Sequence, residues 1–494
     1  MYLPTEAVIK NIRFLTKGIL YLAVVMTLLC PAVPVAAGGV PAGETPAVAQ
    51  AGKPFVLPSF EKFTLANGLT VYLMEHRAVP LIYVTAVFPA GAARDGGKSG
   101  LAYLTAESLF SGTKHYGKAR LEAELERLGV DYSAYVELDA AGVSLSFIKD
   151  DLERVVPILR EVIQEAVFPP GEFGKRKRRL LDELIQAKEQ PELVLDPYFR
   201  GFIFGRHPYA NPLFGTYGTV RKIRNADARA FYRAYYRPEG AALIFVGDFS
   251  AARMKGIVQQ HFGAWRGKGA PPAPPKITAP TGFTSPRVLL VDKKDAAETR
   301  FAFGGLGIQR NHPDYVAVQV VNTILGGRFT SWLSDALRVD AGLTYGVVSS
   351  FDAFKTSGTF AISSFTPTDT TVAALALARD VLMRLHTQGV DEETLRAAQG
   401  YLLGQYPLLY ETPGSLANLL AAMFVYDFDA AYVNDYQKNV EAVTVAKAKE
   451  VIARHFPADN LQYVLIGKAA ALREQVKRFG TVVEKDIKSD GYGK

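Results

Sequence analysis

Apolar and polar positions follow two periods along this chain, and the switches between them mark out its elements. Residues 63–75 alternate around Asn67-Gly68, the dipeptide of a tight hairpin, and the run 81–89 continues as a further strand. A helical period follows at 121–128 and a strand-like run at 143–149. An amphipathic helix is predicted at 152–164, with Leu152, Val155, Val156, Leu159 and Val162 on one face. Another is predicted over 172–186. Residues 235–248 read as a helix end, a turn at Pro238, a continuous apolar strand and a stop at Gly247. Farther on, strands are predicted at 288–291, 299–305, 345–353 and 358–364.

The second stretch repeats the first. The order helix end, Pro turn, apolar strand and Gly stop at 235–248 recurs at 455–468, 220 residues on. The same offset pairs 172–186 with 392–405 and 152–164 with 372–385, which argues for internal duplication. Between the halves, 266–286 is rich in Gly, Pro and Lys and contains Pro271-Pro272-Ala273-Pro274-Pro275, the composition of a linker. Strands with helices laid on one side predict an α+β fold in two homologous halves, at 57–265 and 288–475, joined by a linker at 266–287. Residues 476–494 are expected to form a C-terminal tail.

The N-terminus changes the picture of where the chain works. Lys10, Arg13 and Lys17 precede the apolar run 18–30, and Val35 and Ala37 suit a small-residue cleavage site. Residues 1–37 are therefore expected to be an export signal and 38–56 a flexible leader, which places the protein in a periplasm. The alternative is an uncleaved inner-membrane anchor, since 18–37 is just long enough to span. The whole chain has 56 Lys and Arg against 49 Asp and Glu, a net charge of +7; losing three bases and one acid with the signal leaves +5. With the charges interleaved, that is a soluble surface and not a nucleic-acid footprint. The single cysteine, Cys30, leaves with the signal, so the mature chain has no disulfide of its own.

The candidate chemistry lies in three motifs. Residues 100–113 read Gly-Leu-Ala-Tyr-Leu-Thr-Ala-Glu-Ser-Leu-Phe-Ser-Gly-Thr; 206–216 read Arg-His-Pro-Tyr-Ala-Asn-Pro-Leu-Phe-Gly-Thr; and 322–331 read Asn-Thr-Ile-Leu-Gly-Gly-Arg-Phe-Thr-Ser, followed by Leu333 and Leu337-Arg338. Together they resemble the pitrilysin/insulinase/mitochondrial processing peptidase family, M16. That family places two LuxS/MPP-like α+β halves in a clamshell around a peptide chamber. The resemblance implies a zinc motif H-x-x-E-H at Tyr103, Ala106 and Glu107, where two His one helical turn apart would ligate the metal and the Glu would act on its water. Here no imidazole stands at either ligand position. The family's third ligand, a Glu 76 residues after the second His, falls on Glu183, and the acid common seven residues earlier is Arg176. For Glu183 two readings stand, a vestigial ligand or a solvated or ion-paired helix residue beside Arg179 and Lys188. The seven His (His76, His115, His207, His261, His312, His386 and His455) include no i, i+4 pair. His115 is expected on a surface turn, and His207 and His455 in structural motifs.

Arg338-Val339-Asp340-Ala341-Gly342-Leu343-Thr344-Tyr345 is similar to the family's R-x-x-x-G-L-x-Y. The resemblance implies that Arg338 and Tyr345 are donors to the carbonyl of a bound peptide. Their structural alternative is a helix C-cap by Arg338 and a Tyr345 packed at the start of a strand. Loss of the zinc motif with retention of this pair implies a non-catalytic subunit of a heterodimer, without a cofactor of its own, whose zinc-bearing partner chain cleaves unfolded peptides. Two alternatives stay open. One is a homodimeric peptide-binding scaffold. The other is a weak metallopeptidase using Glu107, Glu183 and His115.

Overall fold

The computed structural model describes residues 55–267, 269 and 280–493, so the expected signal, nearly all of the leader and half of the expected linker lie outside it. The first half contributes β1 (Glu61–Thr64), β2 (Thr70–Glu75), β3 (Leu81–Phe88), β4 (Asp131–Val136), β5 (Ala141–Ile148) and β6 (Ala242–Gly247). The second contributes β7 (Arg287–Asp292), β8 (Glu298–Gly307), β9 (Val347–Ala353), β10 (Gly358–Pro367), β11 (Gln462–Gly467) and β12 (Thr481–Asp486). Each set forms one six-stranded sheet, in the orders β1-β2-β6-β3-β5-β4 and β12-β7-β11-β8-β10-β9. Five strands of each correspond one to one, including the parallel pairs β2–β6 and β7–β11. This is the duplication read from the sequence, now as topology.

The continuous apolar runs of β6 and β11 are explained by what covers them. Every residue of both strands is buried. Leu243 and Phe245 face the helices of their own half, whereas Ala242, Ile244 and Val246 face helix Pro413–Tyr426 of the other half. In β11, Tyr463 and Leu465 face inward, and Val464 and Ile466 meet helix Pro191–Phe204 of the first half. The halves have exchanged one helix each, so both faces of both sheets are covered. Each large apolar side chain buried there contributes about 1.5–3 kcal/mol relative to exposure.

The 206–216 loop fastens the exchange. Buried Tyr209 donates its hydroxyl to Asp139 at the β4–β5 turn (2.7 Å) and accepts from the Thr356 amide (3.2 Å) at the β9–β10 turn. The Lys355 amide also reaches Asp139 (2.9 Å). Gly215 lies so close to Ser99 that a Cβ there would sit 2.3 Å from the Ser99 carbonyl oxygen, and its φ of +75° suits glycine.

Two terminal expectations need correction. The 476–494 segment is not a tail: β12 pairs in parallel with β7, and the chain then returns to the first half. There Tyr492 is buried edge-on against Tyr198 (5.1 Å), and Asp490 accepts from the Gly218 amide (3.0 Å). At the other end, residue 55 of the expected flexible leader packs into the second half, with Phe55 against Tyr406 and Tyr410. Among the described residues, no helix is long and apolar enough to cross a membrane.

In the second core, Asp314 ties helix Tyr315–Leu325 to helix Val445–His455. Its carboxylate takes Lys447 (2.8 Å), Arg454 (3.1 Å) and His455 (2.7 Å), with only 7% of its side chain exposed. Burial pushes this carboxyl up, but the hydrogen bonds and charges of Lys447 and His455 outweigh it and hold it well below the ordinary range.

Stability measurements test both contacts. Tyr492→Ala should cost about 3 kcal/mol in urea unfolding by opening a cavity over Tyr198. Asp314→Asn should cost about 2–3 kcal/mol at pH 7. Because the folded carboxyl is depressed, that contribution is present above its unfolded value of 3.8 and is lost as pH falls below it. The gap between wild type and the Asp314→Asn variant, followed by unfolding at pH 7, 5 and 3, should therefore be constant from pH 7 to 5 and begin to narrow only at pH 3.

Candidate functional site

The degenerate motif sits on helix Leu101–Glu107, whose start is built by Gly100 and Asp95. Gly100 adopts a left-handed φ of +93°, and its Cβ would meet the Phe214 carbonyl oxygen at 2.8 Å. Asp95 is buried and accepts from the amides of Gly100 (2.8 Å) and Ala102 (2.7 Å), in the manner of an N-cap. Burial pushes its carboxyl up to about 7, against the pull of those backbone donors.

Helix Pro170–Ala187 runs beside this one and brings Arg176 and Glu183 to it. Seven residues apart, the two share a helix face. The Arg176 guanidinium donates from Nε to Glu107 (3.1 Å), from Nη1 to Glu183 (3.3 Å) and from Nη2 to the Tyr103 hydroxyl. It also lies 5.0 Å from the Tyr103 ring centroid, and that ring packs edge-on against Phe214 (4.7 Å). Three of the four positions singled out in the sequence, Tyr103, Glu107 and Glu183, therefore converge on one arginine. Ala106 is buried in the first core and brings no donor or acceptor side chain.

This donor set does not fit zinc. Zinc needs deprotonated ligands converging on one point, with a position left for water. Here a cation already lies between the two carboxylates, and the remaining matched position is a phenol. The sequence left Glu183 as a vestigial ligand or a solvated or ion-paired residue near Arg179 and Lys188; the structure pairs it with Arg176, and Lys188 bonds the Ser489 carbonyl. His115 does not join the cluster either. Its Nδ1 bonds buried Glu161 (2.6 Å), which also accepts from Thr113 (2.7 Å).

Among the described residues, one group of metal-ligating type does converge: His312, Asp314 and His455. Sequence spacing could not find it, because 141 residues separate His455 from Asp314. Lys447 and Arg454 already occupy the Asp314 carboxylate, and the Nδ1 of His312 accepts the Asp314 amide (3.0 Å), so the group reads as a structural clasp. A cleft of about 580 Å³ lies elsewhere, lined by Lys62, Tyr72, Met423, Asp427, Phe428 and Tyr432, and touches none of the motif residues.

The second-half pair is arranged very differently from the Arg176 cluster. Arg338 lies in a π-helical turn, Asp335–Asp340, a local widening that helices often use to re-aim side chains. The turn ends at Gly342, with φ of +61°. Arg338 makes no helix C-cap. Among the described residues its guanidinium has no hydrogen bond or ion pair, and its one partner is the Phe329 ring, 3.6 Å from Cζ to centroid. Nor does Tyr345 pack at a strand start. It lies two residues before β9 and is 89% exposed. Its backbone is nonetheless held on both sides. The Thr344 hydroxyl bonds Gly346, Ser364 bonds both, and Thr366 donates to the Leu343 carbonyl (2.7 Å). Among the described residues, no hydrogen bond, ion pair or ring contact joins Arg338 or Tyr345 to the Arg176 cluster, so the structure forms two separate sets.

Comparison with known proteins places this geometry in a family. Residues 71–217 match the model of the insulinase family, peptidase family M16, and residues 222–402 match that of the peptidase M16 inactive domain. An uncharacterized zinc protease of Mycobacterium tuberculosis is 24% identical, covering 85% of this chain and 96% of its own length. A non-peptidase homolog of Helicobacter pylori is 22% identical over 79% of this chain and 90% of its own. Among solved structures, a peptidase M16 inactive domain from Pseudomonas fluorescens superposes with a TM-score of 0.78 at 27% identity, covering 83% of this chain and 98% of that one. A two-half α+β architecture, both family models and relatives along most of its length together show that this chain belongs to the M16 peptidase family.

Proposed function

We propose that this chain is the non-catalytic subunit of a periplasmic M16 heterodimer, supplying Arg338 and Tyr345 to peptides that a zinc-bearing partner chain cleaves. The observation that carries the reading is the state of those two side chains. A guanidinium with every N–H unspent and a phenol 89% exposed are held on pinned backbone, and neither does structural work among the described residues. Such donors are suited to a substrate carbonyl whose oxygen gains negative charge during attack.

The Arg176 cluster supports the same division of labour. A guanidinium bridging Glu107 and Glu183 opposes entry of a dication, so hydrolysis is assigned to the partner's zinc. The first half still offers a place for an extended peptide. β4 is the outer strand beside helix Leu101–Glu107, and its outward backbone groups have no partner among the described residues. Export rests on the N-terminal sequence, which predicts a cleaved signal.

Recovery of the tagged chain from its native envelope should bring down a second M16 chain bearing H-x-x-E-H. In that complex, Arg338→Ala should lower kcat/KM about 100-fold, the scale of one lost oxyanion donor, and Tyr345→Phe about tenfold. Unchanged turnover in both variants would sink the role of the pair, and recovery of this chain alone would favour a homodimeric scaffold. Zinc analysis of variants tests the first half. Tyr103→His, Ala106→Glu and Glu107→His together should bind zinc at least about tenfold more weakly while Arg176 is present than when Arg176→Glu is added, because one adjacent like charge opposes the metal.

A further inference from the structure

Phe329 is 71% exposed in the loop that follows helix Tyr315–Leu325. One exposed phenylalanine on a surface needs no explanation by itself. This one is held there. The amides of Gly326 and Gly327 donate to the Asn322 carbonyl (2.9 and 2.8 Å), and the Ser349 amide of β9 donates to the Gly326 carbonyl (3.2 Å). A Cβ on Gly326 would sit 2.5 Å from the Ser349 nitrogen, so the close approach to β9 requires glycine. On the other side Arg328 donates to the carbonyls of Thr330 and Ala397, both at 3.2 Å. The loop on either side of Phe329 is thereby tied to β9 and to helix Glu392–Gln405.

Arginines set more loosely over a ring, such as Arg120 over Tyr116 (5.2 Å) and Arg478 over Phe479 (5.9 Å), also lack a hydrogen bond among the described residues, but three others that lie within 5 Å of a ring spend their N–H groups. Arg310 lies on Tyr315, Phe428 and Tyr432 and donates to the Tyr432 hydroxyl (3.0 Å). Arg287 lies on Phe202 and Phe283 and donates to Gln462 (2.6 Å). Arg384 lies on Trp332 and donates to Gln388 (2.9 Å). In Arg338 the face is held and the edge is unspent. A planar guanidinium stacked by its face keeps its in-plane donors aimed outward, which a lysine could not do.

We infer that Phe329 is a positioning residue that holds the Arg338 guanidinium edge-on to the peptide carbonyl. The inference rests on the reading of Arg338 as a peptide donor. Without the ring, the side chain samples its rotamers and must be ordered at each binding event.

Two measurements test this. Arginine-selective NMR on the chain alone should show a ring-current-shifted Arg338 Nε–H with restricted rotation. Phe329→Leu should abolish that signature and Phe329→Tyr should keep it. In the complex recovered from the envelope, with a fluorogenic peptide of casein sequence as probe, Phe329→Leu should lower kcat/KM about 5-fold. Phe329→Tyr should restore it. In an Arg338→Ala background, Phe329→Leu should cost nothing further, since it acts only through the arginine. A freely rotating Arg338 in the wild type, or an equal Phe329→Leu cost in both backgrounds, would overturn the proposal. Unchanged turnover of Arg338→Ala would overturn it by removing the reading on which it rests, while the NMR result reports on the stack alone and keeps the two failures apart.

Discussion

Each sheet has an apolar face that its own half leaves uncovered, and the exchange of one helix between halves solves that problem twice. Pro413–Tyr426 lies on β6, β2 and β3 of the first sheet, and Pro191–Phe204 lies on β11, β7 and β8 of the second. Separated, either half would expose the alternate residues of its central strand to water. The halves are consequently one cooperative structure, and everything placed on either inherits a fixed relation to the other. The Tyr209–Asp139–Thr356 contact and the returning C-terminal segment tie the same boundary with polar and aromatic contacts.

Two arginines then divide the chemistry. Arg176 is spent: three of its donors are engaged, its side chain is 13% exposed, and its charge is balanced by Glu107 and Glu183. Arg338 is unspent: it lies over Phe329 and has no hydrogen bond or ion pair among the described residues. The same residue type is thus engaged by acceptors in one half and left without them in the other, and what separates the two is the number of acceptors within reach. A carboxylate placed beside Arg338 would have made it another Arg176.

Much of the fold was legible in the sequence. The 3.6- and 2-residue periods located the helices at 152–164 and 172–186 and the strands around 63–75 and 81–89, because those periods state which side of an element meets the core. β4 escaped, since Asp131–Val136 is a half-exposed outer strand with little apolar alternation. β12 escaped because an edge strand of charged and apolar residues resembles a tail until its partner β7 is known.

The sequence by itself determined the duplication and the absence of imidazole at positions 103 and 107, since both depend only on residue identity and spacing along the chain. Tertiary structure alone decided what occupies the degenerate motif, because Arg176 lies 69 residues from Glu107 and helix pitch says nothing of which neighbour a guanidinium will reach. It also decided that His455 meets Asp314, that Tyr345 stands in solvent, and that Arg338 rests on Phe329. Each of these turns on which distant side chains share a few ångströms, and a one-dimensional pattern does not encode that distance.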